Sequence, residues 1–238
     1  MSTANLKYYA KAALRAARLR PSCVGINHYD DFRIRLPNFS MRTIFDVGAN
    51  EGQTARELLD RYQNAAIYSF EPNKECCDVI AKNFGNKVNV RHTAVGSRCG
   101  TIGFDRSIGH STLYSVSDNV TAEIVPITTI DQFCADNGIT SIDFLKIDTE
   151  GHDLEVIKGA SEMLATYKVG IIQAEVSMSA RNTFQVQFPL VHAEIERHGY
   201  ALFGLYDQIP DWKTREPFIR NANAVYVSPV ICAHNKRL

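Results

Sequence analysis

From Thr43 onward the chain alternates short apolar runs with longer amphipathic stretches. That alternation is the pattern of parallel strands joined by crossover helices. The runs predict strands at 43–47 (TIFDV), 66–70, 88–95, 141–147, 169–176, 200–206 and 223–228, enough for a complete twisted sheet. Apolar residues at three- and four-residue intervals predict helices over roughly 53–63, 73–84, 128–137, 152–166 and 183–198. Leu58, Leu59 and Tyr62 mark the buried face of the first. The last two strands are separated by DQIPDWKTREPFIRN, too short and too rich in Pro and charge for a crossover helix. They are expected to be antiparallel neighbours at one sheet edge. The expectation is therefore an α/β fold: a seven-stranded, mostly parallel sheet with an antiparallel edge and helices on both faces. Between Gly100 and Pro126 two extended segments flank the polar stretch IGHSTLYSVSDN, an excursion placed to lie over an active site.

The length of 238 residues suits one medium domain, read as 41–238, preceded by an extension at 1–40. In that extension Lys7, Lys11, Arg15 and Arg18 lie opposite Leu6, Ala10, Ala13, Leu14 and Ala17, the pattern of an amphipathic helix. No apolar stretch is long enough for a signal peptide or membrane span, which points to a cytoplasmic setting. Lys plus Arg and Asp plus Glu both number 26, so no overall field draws the chain to nucleic acid or an acidic membrane. Six cysteines at irregular spacings, without a C-x-x-C pair, argue for reduced thiols rather than zinc or a disulfide framework.

Chemistry concentrates where strands end. The first strand runs into FDVGANEGQ, where an acid, Asp46, is followed by two glycines and an Asn. Gly48 and Gly52 allow a turn closed to other residues, and Asp46 is expected to offer an acceptor at the mouth of a cleft. Glu71 follows Asp46 by 25 positions at the tip of the second strand, where a carboxylate can accept both hydroxyls of a ribose. A dinucleotide pyrophosphate wants G-x-G-x-x-G, but here Asn50 stands at the second glycine position and Glu51 follows. S-Adenosylmethionine carries a sulfonium and an ammonium and no phosphate, so an acidic turn suits it better. No P-loop and no Tyr-x-x-x-Lys pair is present, which disfavours phosphate-binding and nicotinamide alternatives. The fourth strand ends in Lys146, Asp148, Glu150 and His152 at alternate positions, a polar density expensive in a core and suited to a cleft.

Together FDVGANEGQTA and DFLKIDTEGHDLEVIKGA, with SFEPN and TAVG between them, resemble the FkbM family of S-adenosylmethionine-dependent methyltransferases, over about Thr43 to Val227. The resemblance implies a Rossmann-like class I methyltransferase that methylates hydroxyl groups on sugars or secondary metabolites. It implies that Asp46, Gly48 and Asn50 hold the methionine part of the cofactor, Glu71 the ribose, and Asn73 with Ala94 and Val95 the adenine; Asp148 borders the methyl group. An alcohol acceptor needs a group to take its proton. Four candidates stay open: Asp148 for its position, His152 for its intrinsic pKa, Glu175 at the end of the fifth strand, and His110 in the excursion. Asp148, Glu150 and His152 are also a candidate ligand set for Mg²⁺ or Mn²⁺. Lys146 is a candidate partner for Glu175, and Tyr206 and Trp212 are candidates to stack on a pyranose. The expected activity is O-methylation of a sugar, glycan or glycosylated product. The alternatives are a polyketide-type hydroxyl or a non-catalytic nucleoside-binding module.

Overall fold

A computed structural model describes residues 27–104, 123–211 and 215–236. Helix α1 (His28–Arg35) opens the described chain, and β1 (Thr43–Val47), α2 (Gln53–Arg61), β2 (Ala66–Glu71), α3 (Lys74–Phe84) and β3 (Val88–His92) follow. Two short segments, β4 (Ala94–Val95) and β5 (Gly100–Phe104), lead to β6 (Glu123–Thr128) and α4 (Ile130–Asn137). Then come β7 (Ile142–Ile147), α5 (Asp153–Lys158), α6 (Ser161–Ala165), β8 (Val169–Ser177), α7 (Phe188–Glu196), β9 (Ala201–Pro210), β10 (Ile219–Val227) and α8 (Pro229–His234).

The main sheet has seven strands in the order β3-β2-β1-β7-β8-β10-β9. β1 is parallel to both β2 and β7, while β10 runs antiparallel to β8 and β9. The chain winds outward from β1 in one direction and from β7 in the other, so the order reverses between these two strands. A crevice at such a switch point is where open α/β sheets bind ligands.

Strand periodicity divides the apolar residues between two layers. Ile44, Phe144 and Ile171 face a cluster with Tyr29, Phe32, Ala55, Leu58 and Ile80 from α1, α2 and α3. Phe45, Leu145 and Ile172 face the opposite cluster with Phe133, Val156, Leu164 and Val191 from α4 to α7. The predicted α/β layering is thus found, and α1 is packed into the same core as β1.

Three local expectations are corrected. The run 88–95 is not one strand: the chain leaves the main sheet after His92, and Ala94–Val95 pairs with β6 in a separate sheet of order β4-β6-β5. The expected helix 152–166 is split into α5 and α6 at Gly159–Ala160, and Gly159 packs so tightly that a Cβ there would lie 1.9 Å from the Gly96 carbonyl oxygen. The α6 N-terminus is instead capped across the fold, Glu162 N–H and Met163 N–H donating to the Asp131 carboxylate. Helix α7 starts only at Phe188, with Pro189 in its first turn, where a missing N–H costs nothing. The predicted amphipathic helix near the N-terminus and most of the polar excursion, His110 included, lie outside the described residues.

Candidate active site

The two turns at the switch point are in direct contact. After β1 the backbone turns through Gly48 at φ 81°, and a Cβ there would lie 1.8 Å from the Asp148 carbonyl oxygen. Glycine is therefore demanded twice, by the left-handed conformation and by the approach of the β7 turn. Asp148 N–H donates to Val47 O, and the Gly48 and Ala49 N–H groups donate to Phe70 O, tying the tips of β7, β1 and β2 together.

Glu71 joins the β1 and β2 turns. One carboxylate oxygen accepts from Asn50 N–H at 2.8 Å, and the other from Asn73 N–H at 2.9 Å. Burial pushes its pKa up, and these two donors oppose the shift. A carboxylate offers about four lone-pair sites, so each oxygen keeps one for a ligand hydroxyl. Asn73 uses its own side chain to cap α3, accepting from Glu75 N–H, and still borders the cleft with its flanks.

The cleft encloses about 520 Å³, within the range of small-molecule sites. Phe70, Pro72, Ala94, Val95 and Phe104 give it an apolar wall, and Lys146, Asp148 and Glu150 give it a charged one. Of the residues singled out in the sequence, Gly48, Asn50, Glu71, Asn73, Ala94, Val95, Asp148, Glu150 and His152 line it.

Asp46 does not. Strand β1 pairs Asp46 in register with Lys146 on β7, which does reach the cleft wall. Asp46 is wholly buried, with one oxygen 3.3 Å from Lys146 Nζ. Burial raises its pKa, Lys146 opposes that shift, and Asp46 with Asp148 raises the pKa of Lys146 despite the ammonium's desolvation. The ammonium also reaches Asp148 at 3.2 Å and so emerges between the two acids. This replaces the expected pairing of Lys146 with Glu175, whose carboxylate accepts from the Gln185 and Asn221 side-chain amides and is absent from the cleft lining.

His152 turns its ring toward Gly96, where a Cβ would lie 2.7 Å from Nε2. That nitrogen is buried without a hydrogen-bond partner, and burial pushes the imidazole down to about 4. Asp148, Glu150 and His152 do not converge on a common point, and among the described residues no group of three His, Cys, Asp or Glu is placed to hold a metal ion. Tyr206 cannot stack on a sugar: it is fully buried and donates to the Asp31 carboxylate at 3.0 Å. Trp212 lies outside the described residues.

Sequence reasoning missed the cleft positions Gln53, Thr54, Cys76, Thr93, Phe104 and Thr149. It also assigned Glu150 only to a metal. Its environment is that of a titrating carboxyl: burial, Asp148, Glu175 and Asp153 push it up to about 7, with Lys146 opposing. The available signal was its place immediately before Gly151 at a strand tip.

Comparison with known proteins agrees with this geometry. Residues 46–202 match the Methyltransferase FkbM domain family. The 2-O-methyltransferase NoeI of Sinorhizobium fredii is 26% identical in a 167-residue alignment that covers 62% of this chain and 67% of that protein. The hexuronic acid methyltransferase AglP of Haloferax volcanii is 26% identical over 144 residues, 58% of each chain. Among solved structures, the METTL16 methyltransferase domain superposes with a TM-score of 0.50 at 9% identity, covering 84% of this chain and 66% of the other, a likeness of fold alone. With the family match spanning about two thirds of the sequence and the Gly48, Glu71 and Asp148 turns meeting inside it, the chain belongs to the FkbM family of S-adenosylmethionine-dependent methyltransferases.

Proposed function

We propose that the chain is an O-methyltransferase whose acceptor is a hydroxyl of a sugar or glycosylated product. The observation that carries the reading is that one cleft brings together the apolar side chains of Phe70, Ala94, Val95 and Phe104, the Glu71 carboxylate and the carboxylates of Asp148 and Glu150. S-Adenosylmethionine supplies a methyl group activated by a sulfonium. The residues fit that cofactor by kind: Ala94, Val95, Phe70 and Phe104 would receive a flat base, and Glu71 would use its remaining lone pairs for the ribose hydroxyls. The Gly48–Asn50 turn and Asp148 face its charged end. Asp46 acts at one remove, by holding Lys146. No metal ion enters the proposal.

The names of two relatives support the acceptor class, one being a 2-O-methyltransferase and the other acting on a hexuronic acid. Local charge narrows it. Asp148 and Glu150 line this end of the cleft, Glu175 adds negative charge from outside the lining, and the nearby Lys146 is already shared with Asp46. An uncharged sugar hydroxyl is favoured over a uronate, whose anion would meet like charge. Transfer of labelled methyl to paired neutral hexosides and uronides, with the product located by NMR, tests this. Ether formation on the neutral sugar is expected, and exclusive methylation of the uronide, or no transfer to either, contradicts it.

A further inference from the structure

We propose that Glu150 is the general base of this site, accepting the proton of the acceptor hydroxyl, and that Asp153 is the positioning residue that holds it there. The assignment rests on the methyltransferase reading above and goes beyond it in naming the group that moves the proton.

Three of the four sequence candidates are less free than Glu150. Asp148 is engaged by the Lys146 ammonium. Glu175 is held by two amides outside the cleft lining. His152 is packed against Gly96 and, pushed down to about 4, is a weak base at neutral pH. His110 lies outside the described residues. Glu150 lines the cleft, yet makes no hydrogen bond or ion pair with any described residue, so its acceptor lone pairs are available.

The backbone holds this carboxylate at some cost. Glu150 sits at φ 55°, a conformation that disfavours a side chain. Two features flank it. The Asp153 carboxylate accepts from Thr149 Oγ1 at 3.0 Å and from Gly151 N–H at 3.2 Å, spanning the residue between them. Gly151, at φ 104°, backs onto the Phe184 carbonyl, where a Cβ would lie 2.5 Å away.

The charged groups that face Glu150 are Asp148 on its own loop, Asp153 on α5, Glu175 on β8 and Lys146 on β7. Burial first, and then the three acids outweighing the one cation, favour the protonated form and bring the carboxyl to about 7, where a base is most useful. In the transfer, the acceptor oxygen bonds to the methyl carbon as the carbon–sulfur bond breaks and sulfur keeps the electron pair. The hydroxyl proton passes to the Glu150 carboxylate and leaves to solvent after product release.

Two measurements on the full chain test this. In protein labelled with ¹³C at the Glu carboxyl carbons and bound to S-adenosylhomocysteine, one resonance is expected to titrate near pH 7 and to be missing from Glu150→Gln. Wild-type kcat/KM is expected to rise through the same pH. Glu150→Gln should lose about 10²–10⁴-fold in rate without that rise, with S-adenosylhomocysteine affinity within twofold and partial recovery in Glu150→Asp. Asp153 is itself pushed up to about 7 by burial and carries its charge in the upper part of this range, so Asp153→Asn should move the Glu150 titration to lower pH. A Glu150→Gln enzyme that keeps the rising limb and more than a tenth of the rate overturns the assignment, as does the lack of any Glu resonance titrating above pH 6. Failure of the wild type to methylate any sugar sinks the acceptor reading instead, and the ¹³C titration then decides on Glu150 by itself.

Discussion

Lys146→Met removes the cation between two acids while nearly keeping the side chain's volume. In the folded protein Nζ lies 3.3 Å from Asp46 and 3.2 Å from Asp148. At an effective dielectric of about 20, each contact is worth about 5 kcal/mol of Coulomb energy. Desolvation of the ammonium and repulsion between the two carboxylates cancel much of that sum. What the Met variant leaves behind is Asp46, with no solvent exposure and no counter-charge. Breaking a buried pair on one side in this way costs about 3–5 kcal/mol. For a chain of this size that is a fall in Tm of about 6–20 °C. The penalty depends on pH with a definite sign. Asp46 already has its pKa raised in the folded state, and losing Lys146 raises it further. Ionising it therefore costs folding stability fully above the folded pKa, and nothing below the unfolded value of about 4. Urea unfolding followed by circular dichroism, at pH 8 and pH 4.5, should show a gap between variant and wild type that narrows on acidification. Asp46→Asn in the Lys146→Met background should recover at least half of the loss at pH 8. A Lys146→Met protein within about 1 kcal/mol of wild type at pH 8, below the range for a broken buried pair, would refute the argument. So would a gap of equal size at both pH values.

Three further outcomes follow from the same geometry. Glu150→Gln should stabilise the protein by about 1–2 kcal/mol at pH 8, the linkage value being discounted for partial exposure. The gain should disappear near pH 4, because the folded carboxyl titrates at about 7 and the ordinary one at 4.5; melting curves at the two pH values check it. Gly48→Ala sets a Cβ against the Asp148 carbonyl at φ 81° and should cost about 3 kcal/mol or more, with loss of S-adenosylhomocysteine binding in calorimetry. Tyr206→Phe removes a buried hydrogen bond to Asp31 and should cost about 1–2 kcal/mol, while leaving KM for a sugar acceptor unchanged; a raised KM would return Tyr206 to the site.

The layered sheet was legible in the sequence because central parallel strands, covered on both faces, must be mostly apolar, as TIFDV and IDFLKI are apart from Asp46, Asp143 and Lys146. The tips were legible because Gly48 and Glu71 answer to requirements visible within a few residues. Other features depend on chain segments that meet only in the fold. Asp46 reads as a cleft acceptor until β7 lies in register beside it and supplies Lys146, 100 positions later in sequence. Tyr206 reads as a free aromatic until α1 brings Asp31 to its hydroxyl. The alternation in 88–95 continues smoothly, and only β6 explains why Ala94 and Val95 leave the main sheet for the cleft wall. Glu150 was the least legible: its character comes from a left-handed backbone, an orphaned carboxylate and three acids on different elements.

The most direct test of the account is calorimetric titration of the full chain with S-adenosylhomocysteine, repeated for Glu71→Gln and Glu71→Ala. The account predicts micromolar binding by the wild type, at least tenfold weaker binding by Glu71→Gln, and none detectable for Glu71→Ala, which loses both the ribose acceptor and the link between the Asn50 and Asn73 turns. A wild-type protein that fails to bind, or a Glu71→Ala variant that binds within twofold of wild type, would contradict a cofactor cleft at the tips of β1, β2 and β7.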